Sequence, residues 1–275
     1  MFQYIIEKVK EKTQGWNKKF LSQGGKEILL KSIALAMPIY SMNVYKIPKE
    51  ICEEINKILN QFWWSKNEDN KGMHWFAWNK ISYPKKEGGL GFRDLEHFNT
   101  ALLAKQSWRL LHKPNCLMAR VLKGRYFPET NILHATHGTK ASFVWKSILH
   151  GRNLLKKGVR YVIGDGTTVS AWQDPWLPHH PPIAPRKRDE AIQEMQVRDL
   201  LNDSKTGWNE TKVRETVHPE DIRKILNLNL TAHANEDSLG WHYTKEGIYS
   251  VKSGYWLSTH LDPNVNAAPT PGDAE

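Results

Sequence analysis

Apolar residues recur at helical spacing through the first half of the chain, and that rhythm fades near residue 160. Ser22 is a good N-cap for a run carrying Ile28, Leu29, Ile33 and Met37. Pro38 should stop that run, because an interior proline removes a helix hydrogen bond and clashes with the preceding turn. Pro48 suits the first turn of a second helix, in which Ile51, Ile55, Ile58, Leu59 and Phe62 form one apolar stripe. The polar stretch 65–71 predicts a loop. Asp94 can cap a third helix with Leu95, Phe98, Leu102 and Leu103 on its buried side, and shorter helices are predicted over 117–122 and 143–155.

Beyond residue 160 the period changes. Tyr161-Val162-Ile163 and Thr167-Thr168-Val169-Ser170 flank Gly164-Asp165-Gly166, a turn that calls for positive φ between two β-prone runs, which predicts a hairpin. Five prolines between Pro175 and Pro185 predict an extended linker. A weakly helical acidic segment follows, then a strand over 239–244, a turn over 245–247 and the start of a strand or helix at 248–251. The tail from residue 262 has no core residues and is expected to be disordered. The expected fold is therefore mainly α with small β-hairpins (α+β). It divides into a basic helical region over 1–158, a hairpin with a Trp-rich extension over 159–180, a Pro-rich linker over 181–190, an acidic segment over 191–260 and a tail over 261–275. The best domain boundary falls within 178–190.

The charge is unevenly distributed. The chain of 275 residues carries a net charge of +10. Residues 1–160 hold 28 Lys and Arg against 12 Asp and Glu, whereas residues 161–275 hold 11 against 17. A polyanionic partner would therefore meet the first part. No apolar run is long enough to span a bilayer, so no membrane partner is expected. The first twelve residues resemble neither a signal nor a transit peptide, so the chain is expected to be intracellular, nuclear or cytoplasmic, and not secreted. The Asn-x-Thr matches at Asn209 and Asn229 accordingly carry no weight. With only Cys52 and Cys116 there is no disulfide framework and no thiolate zinc site.

No catalytic centre is legible, and no cofactor or metal is implied. A two-metal polymerase site needs paired carboxylates, and the chain contains no Asp-Asp dipeptide. The acidic pairs Glu53-Glu54, Glu68-Asp69, Glu220-Asp221 and Glu236-Asp237 read as solvated surface. His134, His137, His179 and His180 lack a Cys or carboxylate at zinc-site spacing and read as surface or loop histidines. Among the 12 tryptophans, Trp63, Trp75, Trp78, Trp108 and Trp145 are assigned to packing, while Trp64 could stack on an unpaired base. The basic clusters are the candidates for contact with nucleic acid. Lys18, Lys19, Lys26 and Lys31 flank the first predicted helix. Lys85, Lys86 and Arg93, with Lys80, surround Gly88-Gly89-Leu90-Gly91, where free backbone N–H groups beside cations could hold phosphate; a basic tight turn is the alternative. Arg120, Lys123 and Arg125 form a third patch.

Several blocks occur in an order that resembles the segment after the polymerase palm in plant LINE-type (non-LTR) retrotransposon reverse transcriptases. They are Trp16 with Leu21-Ser22-Gln23-Gly24-Gly25-Lys26, Pro38 with Tyr40, Phe62-Trp63-Trp64, Trp75, Gly88-Gly89-Leu90-Gly91, Ile163-Gly164-Asp165-Gly166, Trp172 with Asp174-Pro175-Trp176-Leu177, and Tyr249-Ser250-Val251-Lys252-Ser253-Gly254-Tyr255. The resemblance runs from about Trp16 to Trp256. It implies a thumb-like helical part that holds RNA or an RNA–DNA hybrid, followed by the opening of a reverse-transcriptase zinc-binding domain. It further implies that the palm carboxylates would precede Met1 and the zinc ligands would follow Tyr255, so that the chain is a non-catalytic fragment cut at both ends. Two other readings stay open: a Trp-rich module whose partner is a protein, including the missing polymerase portion, and a decayed retroelement product without function.

Overall fold

The computed structural model describes residues 2–17, 19, 21–65, 72–188, 193–230 and 236–261. The chain forms two compact units. One runs from the N-terminal residues to Asn153 and is rejoined by the chain from Ser258; the other comprises Leu154–Leu257. Among the described residues the elements are mainly helical with one small antiparallel sheet, the class that the sequence predicts. Among the described residues, no helix is long and apolar enough to cross a membrane.

The first unit is a stack of helices: α1 (Gln3–Asn17), α2 (Gln23–Ser32), α3 (Ile39–Met42), α4 (Lys49–Trp64), α5 (Trp78–Ser82), α6 (Leu95–His112), α7 (Leu117–Tyr126) and most of α8 (Phe143–Lys156). α4 is the hub, packed by α1, α2, α5 and α6, and α6 carries α3 and α7. α4 buries Cys52, Ile55, Ile58, Leu59, Phe62 and Trp63, close to the predicted stripe. Each such side chain contributes about 1.5–3 kcal/mol on full burial. Both predicted caps form: Ser22 Oγ accepts the Gly25 N–H at 3.2 Å and Asp94 Oδ1 accepts the His97 N–H at 2.9 Å. α2, however, ends at Ser32 and gives way to a short 3-10 turn over Ala34–Ala36. Its buried residue is Leu30, while Ile28 is 66% exposed. Two positions apart on a helix lie on opposite faces, so the stripe centred on Leu30 excludes Ile28.

Polar groups inside this unit have assigned tasks. Asn99, fully buried on α6, accepts the Ile47 N–H at 2.8 Å and donates to the carbonyls of Met42 and Tyr45 at 2.8 and 2.9 Å, which fixes the chain between α3 and α4. A second cluster forms around Trp145, which stacks on Tyr126 and Phe127 with ring centroids 4.8 and 5.3 Å away.

In the second unit, β1 (Val159–Val162) pairs antiparallel with β2 (Ser238–Trp241), placing Val159 opposite Trp241 and Val162 opposite Ser238. The hairpin expected across Gly164-Asp165-Gly166 does not form. The carboxylate of Asp237 accepts the N–H groups of Gly164, Gly166 and Thr168 and the Thr168 hydroxyl, all at 2.8–2.9 Å. Those N–H groups are thereby lost to a local ladder. The 167–170 segment pairs elsewhere, with Ser170 bridging Gln196 and the Val197 N–H reaching Val169 O at 3.0 Å. Gly166 sits at φ +69°, and a Cβ there would lie 2.5 Å from Arg198 N, so only glycine fits.

The remaining elements are α9 (Glu210–Thr216), α10 (Pro219–Leu226) and α11 (Val251–His260), whose last residues belong to the first unit. A core beneath α9 and α10 gathers Val169, Trp176, Leu177, Val197, Val213, Val217 and Ile225, and Trp176 stacks on Trp208 at 5.5 Å. The Pro-rich stretch lies within this unit, held by an antiparallel bridge between Leu177 and Ile183 and by a hydrogen bond from the His218 N–H to Arg186 O at 2.9 Å. The predicted tail from residue 262 lies outside the described residues.

Two acidic residues expected on the solvated surface are structural. Asp237 is the cap just described. Asp221 is fully buried, with Arg186 Nε at 3.1 Å and Lys224 Nζ at 2.9 Å. Burial alone would raise its carboxyl, but hydrogen bonds from Arg186 and Lys224 outweigh that and hold it well below the usual carboxylate range. Glu53 and Glu54 do face solvent, in loose pairs with Lys49 and Lys10, and Glu68 and Asp69 lie outside the described residues.

Candidate nucleic-acid interface

The Leu21-Ser22-Gln23-Gly24-Gly25-Lys26 block is a helix start that delivers a cation inward. With Ser22 capping α2, Lys26 points at the C-terminal end of α4. Its Nζ donates to Phe62 O at 3.2 Å and to Ser65 O, with Ser65 Oγ at 3.4 Å. The Ser65 hydroxyl in turn donates to Asn17 Oδ1 at 2.9 Å, so α1 joins the same node. Burial pulls the Lys26 ammonium below its ordinary pKa. A cation at a helix C-terminus satisfies carbonyls that have no intrahelical donor. Lys26 is therefore a structural residue and not part of a phosphate-facing surface, a correction to the expectation from sequence.

The Gly88-Gly89-Leu90-Gly91 turn is tied to α2 by charge. Glu27 Oε1 lies 2.7 Å from Lys31 Nζ and 3.1 Å from Lys85 Nζ, and Lys31 Nζ also donates to Leu90 O at 2.6 Å. Side-chain hydrogen bonds from Lys31 and then Lys85 lower the Glu27 pKa. Gly88 and Gly91 adopt φ +81° and +70°, which favours glycine. The turn's N–H groups are already spent: Gly88 on Lys85 O, Gly89 on Pro84 O, Leu90 on Ile81 O and Gly91 on Tyr83 O. No free backbone cradle for phosphate exists here. The tight-turn alternative is the geometry observed, with Lys31 and Lys85 each committed in part to Glu27.

The other candidate cations point to solvent. Lys19, Lys86, Arg93, Arg120, Lys123 and Arg125 are all exposed, and none of them forms an ion pair among the described residues. Arg93 lies over the Phe98 ring at 4.9 Å and Arg125 over Tyr126 at 5.5 Å, contacts that orient a guanidinium without neutralising it. Arg120, Lys123 and Arg125 share one helix, α7. Lys18 lies outside the described residues.

Trp64 is half-buried, its indole N–H donating to Asn60 Oδ1 at 2.9 Å and its ring stacked on His74. Trp63, Trp78 and Trp145 are buried as expected, and Trp108 stacks on His112. Trp75 departs from expectation: it is 70% exposed, beside the exposed Met73 and Phe76. On α7, Leu117 and Val121 are exposed one turn apart. Sequence reading also missed a cleft lined by Lys146, Arg152, His137 and His150. Its one sequence signal was the spacing of Lys146, Leu149, His150 and Asn153 along a single helix face. Among the described residues, no three His, Cys, Asp or Glu side chains converge as a metal site would need.

No protein-family model matches the chain. It is 42% identical over 152 residues to an uncharacterized mitochondrial protein of Arabidopsis thaliana, an alignment that covers 55% of this chain and 99% of that protein. It is also 30% identical over 283 residues to the Arabidopsis thaliana "Putative ribonuclease H protein", across 99% of this chain but 44% of that longer protein.

Proposed function

We propose that this chain, which belongs to the same family as the Arabidopsis mitochondrial protein, is the region following the palm of a plant LINE-type retroelement reverse transcriptase. In this reading it holds RNA or an RNA–DNA hybrid by backbone contacts and performs no chemistry of its own. The observation that carries it is the set of exposed cations without ion pairs in the first unit: Lys19, Lys86, Arg93, Arg120, Lys123 and Arg125. Charges left uncompensated at a surface are available to phosphates, and release of counterions makes such binding favourable. Lys85 contributes more weakly, since Glu27 already holds it at 3.1 Å. The ribonuclease H in the name of the longer relative belongs to that protein, less than half of which this chain spans.

The test is binding of the full chain to a labelled RNA–DNA hybrid between about 50 and 300 mM salt. Six phosphate contacts give a log–log slope of roughly −4 to −5. Lys86→Glu/Arg93→Glu and Arg120→Glu/Lys123→Glu should each weaken binding and flatten that slope. A folded chain that fails to bind, or binds without dependence on salt, overturns the reading. The exposed Trp75, Met73 and Phe76 favour a second reading, a surface for a protein partner; binding through it would persist at high salt.

A further inference from the structure

Lys146, Leu149, His150 and Asn153 of α8 line one wall of a cleft of about 710 Å3, and Ala135, Thr136, His137 and Gly138 line the other. Gly138, at φ +58°, lets the chain turn away at the end of that wall. Trp145, fully buried beneath, anchors the loop through its indole N–H to Thr136 O at 3.3 Å.

Arg152 is the unusual member of this lining. Its Nη1 donates to Ala135 O and its Nη2 to Asn153 Oδ1 at 3.3 Å, while its Nε is buried with no partner among the described residues. Both acceptors are neutral oxygens. Among the described residues, no carboxylate lines the cleft. Nearby Glu96 is already paired with Lys46 at 3.1 Å. Lys146 is exposed at the cleft, and His150 is uncharged near neutral pH: burial, with help from Lys46 and against Glu96, pushes it down to about 4. Partial burial likewise lowers the Arg152 pKa.

A cation withdrawn from water without a counter-charge is unfavourable, and a bound anion removes that penalty. The guanidinium fork and an ammonium are the donor types that recognise phosphate. The cleft is larger than a phosphate ion and falls in the range of small-ligand sites. We propose that this cleft binds the phosphate of a nucleotide unit, with Arg152 and Lys146 as cationic ligands and Asn153, Thr136 and His137 as further hydrogen-bonding partners. The site is separate from the cations of α7 and of the 80–93 turn, and does not depend on them.

The same chemistry serves a free nucleotide and a phosphate within a strand, so three probes are titrated into the full chain: inorganic phosphate, a nucleoside 5′-monophosphate and a short single-stranded oligonucleotide. Saturable binding of the monophosphate or the oligonucleotide, tighter than that of inorganic phosphate and weakened about tenfold or more by Lys146→Glu and by Arg152→Gln, is the expected result. Saturation by the monophosphate assigns a free nucleotide and by the oligonucleotide alone a strand phosphate, whereas inorganic phosphate binding as tightly as either overturns the assignment to a nucleotide. Arg152→Gln releases Ala135 and so risks unfolding. Lys146→Glu, at an exposed position, decides the question with circular dichroism as the check on folding. Absence of saturable binding by all three probes, or unchanged affinity in folded Lys146→Glu, overturns the proposal. Lys86→Glu/Arg93→Glu should leave monophosphate affinity unchanged, so failure of hybrid binding and failure of the cleft are read separately.

Discussion

The ammonium of Lys26 on α2 donates to the carbonyl of Phe62, near the C-terminal end of α4, across 3.2 Å. With the bond to Ser65 O, this contact ties α2 to α4 at the point where α4 runs out of its own donors. It explains why a Ser-x-Gly-Gly-Lys sequence is useful there: the serine starts α2 and the lysine, one turn later, closes another helix.

Lys26→Met keeps most of the side-chain volume and removes the donor. Leaving buried carbonyls unsatisfied should destabilise the first unit by about 1–3 kcal/mol, read from the denaturant midpoint. Hybrid binding by the folded variant should be unchanged. A binding loss with no stability change would return Lys26 to the interface.

Asp237→Ala removes the acceptor of four hydrogen bonds from the 164–168 turn. The expected effect is about 1–3 kcal/mol of lost stability, with faster proteolysis and amide exchange at Gly164 and Gly166. Slow exchange at both amides in the variant would show that the turn holds without the carboxylate.

Gly89→Ala would place a Cβ 2.0 Å from Tyr83 O, a backbone atom that cannot swing aside. The turn should be strained by about 1–3 kcal/mol, loosening the link between Lys85 and Glu27. The check is thermal unfolding of the variant against the parent chain. An unchanged midpoint would mean that the turn relaxes freely.

Acid should act through two kinds of group. His150 and His242 titrate near 4 in the fold, below the ordinary histidine value of about 6.5. The unfolded chain therefore binds the extra protons first, and stability falls as pH drops from about 6.5 towards 4. Asp221, depressed by Arg186 and Lys224, adds a loss below about pH 4. Denaturation midpoints across pH 3–7 test this, and His150→Asn should blunt the upper part of the decline. Resonances assigned to His150 and His242 that titrate near 6.5 in the folded chain would contradict it.

The Ser22 and Asp94 caps, the α4 stripe and the helical class were legible in the sequence because each rests on residues within a few turns of one another, where periodicity and capping chemistry are complete. The charge asymmetry was legible because it is a matter of composition. The partner of β1, the burial of Asp221, the role of Asp237 and the inward turn of Lys26 were not, because each depends on a segment brought up by the tertiary fold. Lys26 and Lys86 look alike in sequence; one meets helix-end carbonyls and the other meets water, and only the packing of α2 on α4 separates them. For the same reason Trp75 reads as core in the sequence, whereas among the described residues it stays 70% exposed. Local hydrogen bonds and apolar spacing gave this chain its helices, and long-range packing decided which of its charges remain at the surface.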